Sequence, residues 1–219
     1  MKPVPQSFLR YPLNPVFDSP ANVRVLRSLA RHGGALSAPS LAGLTKLTKP
    51  SVLSSLQQLI EARMVEALGA GRQRLYRFDD GSSLGAALGA LFAAESERYR
   101  KVIEAIRISA ERAGAQAAWL YGSVARDQDG PGSDIDVAIA CPTKRLSIVT
   151  AGMREALSKA EERLGFTVSV IGIDDALARR LEREADPWWL AIKREAITVM
   201  GPAPESYVDQ SRRKRRTAQ

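Results

Sequence analysis

The sequence predicts an α+β chain in which two small domains are joined by one long helix. Its 219 residues are enough for two units that each bury a hydrophobic core. Helix and strand patterns occur on both sides of residues 83–112, a segment that has no proline and no glycine after Gly89. Such a segment is typical of a continuous helix, because no helix-breaking residue interrupts it. We expect an N-terminal arm (1–19), a helix-and-hairpin domain (20–80), a connecting helix (83–114), a domain with a small mixed sheet and flanking helices (115–203) and a basic tail (204–219).

The composition is that of an ordinary globular protein. Hydrophobic residues make up 45% and charged residues 26% of the chain. No apolar run approaches the roughly 20 residues that a membrane-spanning helix needs. The N-terminus has neither the basic start nor the apolar core of a secretion signal. We therefore expect a cytoplasmic protein with no membrane partner.

Cysteine and histidine are too scarce for thiol or zinc chemistry. Cys141 is the single cysteine and His32 the single histidine. An internal disulfide needs two cysteines, and zinc sites and Cys-His catalytic pairs draw on several such side chains. Any metal must therefore be held by oxygen ligands.

The net charge of +8 is concentrated at the two ends of the chain. Residues 1–80 contain 11 Lys and Arg against 5 Asp and Glu, and residues 212–216 are all basic. A phosphate backbone is a natural partner for such a surface, because binding it releases counterions. Solubility alone is an equally good explanation of the charge by itself.

Capping signals predict three helices between residues 20 and 62. Ser19-Pro20 is a capping side chain followed by proline at the first helical position, and the apolar spacing after it ends at Gly33-Gly34. Ser37 begins a second, short helix, and Thr48 caps a third that runs to about Ala62.

A basic, glycine-rich hairpin is predicted after the third helix. Its strands are Met64–Leu68 and Arg72–Phe78, and Gly69-Ala70-Gly71 joins them. Three helices followed by such a hairpin resemble the winged helix-turn-helix domain of bacterial transcription regulators. The resemblance covers Pro20 to Phe78 and rests on the order of the elements.

The resemblance implies that the third helix enters the major groove of double-stranded DNA while the hairpin holds phosphates or a minor groove. The candidate DNA contacts are Lys46, Lys49, Ser51, Ser54, Ser55, Gln57, Arg72, Arg74 and Arg77. Winged-helix regulators are commonly dimers, so a pseudo-palindromic operator is expected if this one is too. The alternative is a protein-docking module with a solvated polar face.

The connecting helix has an apolar stripe that Glu95 interrupts. Its members follow spacings of three and four residues: Leu88, Phe92, Tyr99, Val102 and Ile106. This spacing suits packing against another helix. A homodimer formed through residues 83–112 and a helix that covers the C-terminal sheet within one chain are equally good interpretations.

Two aspartates alternate with apolar residues after a short predicted strand and a turn. Ala118–Tyr121 is the strand, Gly122-Ser123 opens the turn, and Ser133–Ala140 is the next strand. Asp134 and Asp136 lie two residues apart, so both carboxylates project from one face, about 7 Å apart along the backbone. Carboxylates placed in this way can share a divalent ion.

The run Leu120-Tyr121-Gly122-Ser123, ten residues, Asp134-Ile135-Asp136 resembles the signature of the nucleotidyltransferase (polymerase-β-like) superfamily. The resemblance is to the minimal type found in prokaryotic toxin-antitoxin systems and antibiotic-modifying enzymes. It implies that Gly122, Ser123, Ser133 and Arg126 bind a nucleoside triphosphate, and that Asp134 and Asp136 are catalytic and bind Mg²⁺. The chemistry is sound, because Mg²⁺ prefers carboxylate oxygen and glycine lets the backbone approach phosphate. The alternative is a plain turn followed by a solvated edge strand.

Ser169 is where the chain departs from the family pattern. The family places a third carboxylate on a later strand, here Phe166–Ile171, and the matching position is Ser169. A serine supplies neither an anionic ligand nor a carboxylate base. Asp174 and Asp175 lie beyond the end of that strand, so they are poor substitutes.

The last part of the chain is predicted to contain a helix, a strand and a basic tail. Asp186–Leu190 and Val199–Gly201 are predicted to form a closing helix and a last strand, with the tryptophans of the helix in the core. The basic tail is expected to add nonspecific nucleic-acid affinity or only solubility.

The leading hypothesis is a DNA-binding transcriptional regulator of antitoxin or defence type, with a cognate toxin or another protein as a partner. Its nucleotidyltransferase-like domain would be a slow enzyme, a nucleotide sensor or a scaffold. The alternative is an active Mg²⁺-dependent enzyme that transfers a nucleoside monophosphate to a hydroxyl of a protein, RNA or small molecule.

Overall fold

The structure, a computed structural model, describes residues 7–209, apart from the side chain of Arg72. The chain divides into two compact units, Met1–Glu97 and Arg98–Gln219. The basic run 212–216 of the predicted tail lies outside the described residues. Both units combine helices with a small sheet, which confirms the predicted α+β fold class.

Four helices begin the N-terminal unit: α1 (Asn14–Phe17), α2 (Pro20–His32), α3 (Ala38–Thr45) and α4 (Lys49–Glu61). The last three begin where their capping residues predict. The hydroxyls of Ser19, Ser37 and Thr48 each accept a hydrogen bond from a backbone N–H of the first turn. Only three residues separate α3 from α4, and Lys46 enters this turn with φ at +55°.

A three-stranded antiparallel sheet completes this unit. Its strands are β1 (Leu36–Ser37), β2 (Val65–Leu68) and β3 (Leu75–Phe78), in the spatial order β1-β3-β2. The loop between β2 and β3 is longer than predicted, because residues 71–73 form a 3-10 turn and β3 begins at Leu75 rather than Arg72. The sequence reasoning also missed β1, which is too short to show an alternating pattern.

The core of the N-terminal unit includes a residue from the segment that we expect to be an arm. Val16 is fully buried beside residues of α2 and α4. Asn22 fixes this segment, because its side-chain amide donates to the Pro15 carbonyl and to Gln58 Oε1, both at 2.7 Å. The arm region is therefore packed onto the unit from residue 13 onward.

The long helix α5 (Ser83–Ala113) ends before Gly114, whose φ is +81°. The apolar residues of its stripe pack into the hydrophobic cores of the same chain. Leu88 and Phe92 are buried in the core of the N-terminal unit, and Val102 and Ile106 in that of the C-terminal unit. Of the stripe, Tyr99 is half exposed. Four of its five members are therefore buried within the chain, but only Val102 and Ile106 lie in the core that contains the C-terminal sheet, as the interpretation within one chain expects.

The C-terminal unit is built on a four-stranded mixed sheet. Its strands are β4 (Ala117–Tyr121), β5 (Ile135–Ala140), β6 (Val168–Ile173) and β7 (Ile197–Met200), in the order β6-β5-β4-β7. β5 and β6 run parallel, whereas β4 is antiparallel to both β5 and β7. The long helix between β5 and β6 provides the crossover that a parallel pair requires.

Helices supply apolar residues to two separate clusters of this sheet. The helices of this unit that follow α5 are α6 (Gly122–Ala125), α7 (Leu146–Leu164), α8 (Asp175–Arg183) and α9 (Pro187–Glu195). Residues 204–209 are also helical. One cluster joins α5 and α7 to the sheet, and the other joins α8 and α9. Trp119 and Trp189 are fully buried in the second cluster, with their rings edge to face at 5.9 Å. None of the helices in residues 7–209 has the length and apolar character needed to cross a membrane.

Candidate functional site

The polar face of α4 presents most of the predicted DNA contacts to solvent. Lys49, Ser54 and Gln57 are exposed, Ser51 is partly exposed, and Lys46 lies exposed in the turn before the helix. Ser55 is the exception, because it is only 3% exposed. It belongs to the buried stripe Val52, Ser55, Leu56 and Leu59 of this helix, so it is corrected from a surface residue to a core residue.

The hairpin presents its arginines unequally. Arg74 is exposed at the end of the loop. Arg77 pairs with Glu66, which lies directly opposite on β2, and the Arg77 Nη2 to Glu66 Oε2 distance is 2.6 Å. The side chain of Arg72 lies outside the description. Of Arg74 and Arg77, Arg74 is therefore the better placed for a phosphate.

Gly122 lies at the junction of β4 and α6, where any other residue would be strained and would meet the Asp136 side chain. Its φ is +77°, and a Cβ added there would lie 2.2 Å from Asp136 Oδ2. The turn thus brings the backbone of Gly122 against the Asp136 carboxylate, at the strand end where Tyr121 is paired with Asp136. The predicted glycine turn and the predicted carboxylate are brought together.

Asp134 and Asp136 differ in exposure. Asp134 precedes β5 and is exposed, whereas Asp136 lies within β5 and is partly buried. Burial raises the pKa of Asp136, the charge of Asp134 raises it further, and Arg126 lowers it. A cation near the two carboxylates would therefore relieve an existing electrostatic cost.

Ser169 occupies the position beside Asp136 on the neighbouring parallel strand. The register of β5 and β6 pairs Asp136 with Ser169 directly, so the two side chains project from the same face of the sheet. Asp174 caps α8 by accepting from the Leu177 N–H at 2.7 Å, and Asp175 accepts from the Tyr207 hydroxyl at 2.7 Å. These two aspartates have structural partners beyond the strand end.

The donor set suits a metal that arrives with phosphate oxygens. Within residues 7–209 no group of three or more histidine, cysteine or acidic side chains is arranged to hold a metal ion. Mg²⁺ needs only one or two carboxylates when substrate phosphates and water complete its shell. Asp134 and Asp136 meet that lower requirement and no more.

Residues 104–185 match the family model described as polymerase beta, nucleotidyltransferase. This segment is a nucleotidyltransferase domain. The match contains the Gly122 turn, both aspartates and Ser169. No curated protein matches the chain.

One solved structure that is similar to the chain is the crystal structure of the AntR antimony-specific transcriptional repressor. The two sequences are 22% identical, and the match covers 42% of this chain and 79% of that one, with a TM-score of 0.35. At that TM-score the backbones share too little geometry for any property of the repressor to be transferred.

Glu195, at the end of α9, pairs with the predicted site residue Arg126, a contact that sequence reasoning missed. Arg126 Nη1 lies 3.1 Å from Glu195 Oε2, and Arg126 Nε donates to Gln128 Oε1 at 3.0 Å. Hydrogen bonds from Arg194 and Arg126 lower the pKa of Glu195. The predicted phosphate ligand Arg126 is therefore already bound to an internal anion, and no local motif signals this contact across 69 positions.

The two serines that are predicted to bind nucleotide, Ser133 and Ser123, differ in their hydrogen bonds. Ser133 closes its own loop, because its hydroxyl accepts from the Gly130 N–H and its N–H donates to the Gly130 carbonyl, both at 3.0 Å. Ser123 lies in the first turn of α6 and is partly buried. Its carbonyl accepts from the amides of Arg126 and Gln128, which folds the following loop back onto the turn.

An aromatic pair borders the same strand end. Tyr121 directly precedes Gly122 at the end of β4 and packs, partly buried, against the core cluster that contains Trp189. Its ring meets that of Trp188 edge to face, with the ring centroids 5.6 Å apart. Burial raises the pKa of Tyr121, and the nearby Asp136 charge raises it further. Trp189 is fully buried, and Trp188 is partly buried against the same core, so the prediction that both are core residues is confirmed for Trp189 and holds in part for Trp188.

Proposed function

We propose that this protein is a DNA-binding transcriptional regulator whose nucleotidyltransferase-type domain binds a nucleotide at a two-carboxylate site. The observation that carries the DNA-binding part is the arrangement of the N-terminal unit. Helices α3 and α4 are joined by a three-residue turn, and the β2–β3 hairpin follows them. In DNA-binding helix-turn-helix proteins, a pair of helices joined by three or four residues places its second helix in the major groove.

The charge of this unit supports the same proposal. Lys46, Lys49 and Arg74 lie exposed in the turn, at the start of α4 and in the hairpin. The first turn of α4 has no acidic residue, so the positive end of the helix dipole adds to these charges. A phosphate backbone is attracted by both.

Titration of the full-length protein with duplex DNA at several salt concentrations tests the DNA-binding proposal. Replacing Lys49 and Arg74 together by alanine is expected to weaken binding uniformly across sequences. It should also lower the slope of log K against log salt by about 2, one unit for each lost phosphate contact.

The matched control for this titration is Arg183→Ala, which removes an exposed cation from α8. It is expected to leave DNA binding unchanged. DNA binding that is insensitive both to salt and to the loss of Lys49 and Arg74 would reject the proposal.

The nucleotide part rests on the meeting of Gly122 with Asp136. Because Gly122 has no side chain, the Asp136 carboxylate can approach this turn closely, and the Ser123 hydroxyl and the Arg126 guanidinium are donors on the same turn. Mg²⁺ bound with the nucleotide would be held by Asp134 and Asp136 and would neutralise phosphate charge. With Ser169 in place of a third acid, this domain has no carboxylate base at that position, so binding is expected to exceed turnover.

Tryptophan fluorescence, to which Trp188 beside Tyr121 contributes, tests this part when it is followed during nucleotide titration with and without Mg²⁺. Asp134→Asn with Asp136→Asn is expected to remove the Mg²⁺ dependence of binding, whereas Asp209→Asn, away from these residues in sequence and outside their strand, should not. Binding of no nucleoside triphosphate under either condition would reject the nucleotide proposal and leave the DNA proposal standing.

An active transferase is the second candidate, favoured by the position of the Gly122 turn beside Asp136 and Asp134 rather than by a complete set of acidic residues. Transfer of labelled nucleoside monophosphate to an acceptor, abolished by the same double asparagine substitution, would support it. An antitoxin or defence role with a cognate toxin and a cytoplasmic location both stay predictions. Relief of growth arrest caused by an adjacent gene product would support the toxin partner.

A further inference from the structure

The outward face of α4 has a leucine at its centre. The exposed residues of this helix include Lys49, Leu53, Ser54 and Gln57, which follow helical spacing on one side. Leu53 is 42% exposed and lies among polar residues on this face. Val52 and Leu56, which precede and follow it in the sequence, are buried. The side chain is therefore directed away from the core that the other apolar residues of the helix serve.

The two ends of α4 differ in their attraction for DNA. The first turn carries Lys49, is capped by Thr48 and contains no acidic residue. The last turn carries Glu61, whose Oε1 accepts from Gln57 Nε2 at 3.2 Å. A negative charge there repels phosphate, so the first half of the helix, with Leu53 on its outward side, is the half that suits the groove.

We infer that Leu53 is a specificity-determining residue that contacts the methyl group of thymine in the major groove. This inference rests on the proposed DNA-binding function. A leucine side chain can make no hydrogen bond to a base edge, and the thymine 5-methyl group is the apolar feature of the major groove. A duplex that carries thymine opposite Leu53 thus buries two apolar groups that water otherwise surrounds.

Thymine-to-deoxyuridine substitution tests this inference, because it removes the methyl group and keeps the base pair. A duplex is first selected by the full-length protein from a random pool, and each thymine is then replaced singly. For the wild-type protein we expect one replacement to weaken binding about fourfold, the effect of exposing one methyl-sized group. For Leu53→Ala the same replacement should have no effect.

Leu44→Ala is the matched control, because Leu44 is an exposed leucine of the same unit that lies on α3. This variant should retain the fourfold response to deoxyuridine. Circular dichroism establishes that both variants fold, which their exposed positions favour. A wild-type protein insensitive to every deoxyuridine, or a Leu53→Ala variant that keeps the sensitivity, overturns the inference but not DNA binding. Failure to select any duplex overturns both.

Discussion

Replacing Gly122 by alanine should destabilise the C-terminal unit by two separable effects. The first is backbone strain, because an alanine held at a φ of +77° costs about 1–2 kcal/mol. The second is the overlap of the new Cβ with Asp136 Oδ2, which must move from 2.2 Å to at least 3.0 Å. Pushing that side chain off its rotamer costs about 0.5–1.5 kcal/mol, so the sum is about 1.5–3.5 kcal/mol.

Urea unfolding followed by tryptophan fluorescence measures this effect selectively. All three tryptophans, Trp119, Trp188 and Trp189, lie in the C-terminal unit, so the signal reports its unfolding. Gly132→Ala is the matched control, because its φ is +89° and a Cβ there meets nothing within 4 Å. The control carries the backbone strain alone.

The difference between the two alanine variants isolates the contact with Asp136. We expect Gly122→Ala to be less stable than Gly132→Ala by about 1 kcal/mol. Gly122→Ala should also lose nucleotide binding, whereas Gly132→Ala should retain it. Equal free energies of unfolding for the two variants would refute the close approach of Gly122 to Asp136.

Three further predictions concern the same site. Asp136→Asn should stabilise the protein at neutral pH, since the raised pKa of Asp136 means that its charged form costs folding free energy. This advantage should shrink as the pH falls through the raised pKa and vanish below the unfolded-state pKa of about 3.9. Urea unfolding at several pH values measures it, and a stabilisation that persists at acid pH would contradict this prediction. Ser169→Asp should tighten Mn²⁺ binding by about tenfold through a third carboxylate, measured by calorimetry, and unchanged affinity would show that the two positions do not share an ion. Glu195→Gln should free Arg126 and tighten tripolyphosphate binding about threefold, whereas weaker binding would mean that Glu195 positions the arginine for phosphate.

The sequence predicted best the features that depend on near neighbours in the chain. Ser19, Ser37 and Thr48 cap their helices as expected, because a cap needs only the amides two or three residues ahead. The meeting of Gly122 with Asp136 was also foreseeable, since a short strand, a turn and a second strand bring them together.

Other features depend on contacts that the local pattern leaves open. The pairing of Arg126 with Glu195 joins two helices far apart in sequence, and β1 is recognisable only from its partner β3. The burial of Ser55 is different, because its spacing from Val52 and Leu59 was visible in the sequence. At this position the place in the buried stripe decides the burial, and the polarity of the serine does not.

The sharing of α5 by both cores limits where the chain can be cut. A fragment that ends after the hairpin, near residue 80, would remove Leu88 and Phe92 from the core in which they are 4% and 2% exposed. A fragment that begins after Gly114 would remove Val102 and Ile106 from the other. Separate expression of either unit therefore requires a junction inside the helix, near residue 97, and recombination of the two units in evolution would face the same requirement.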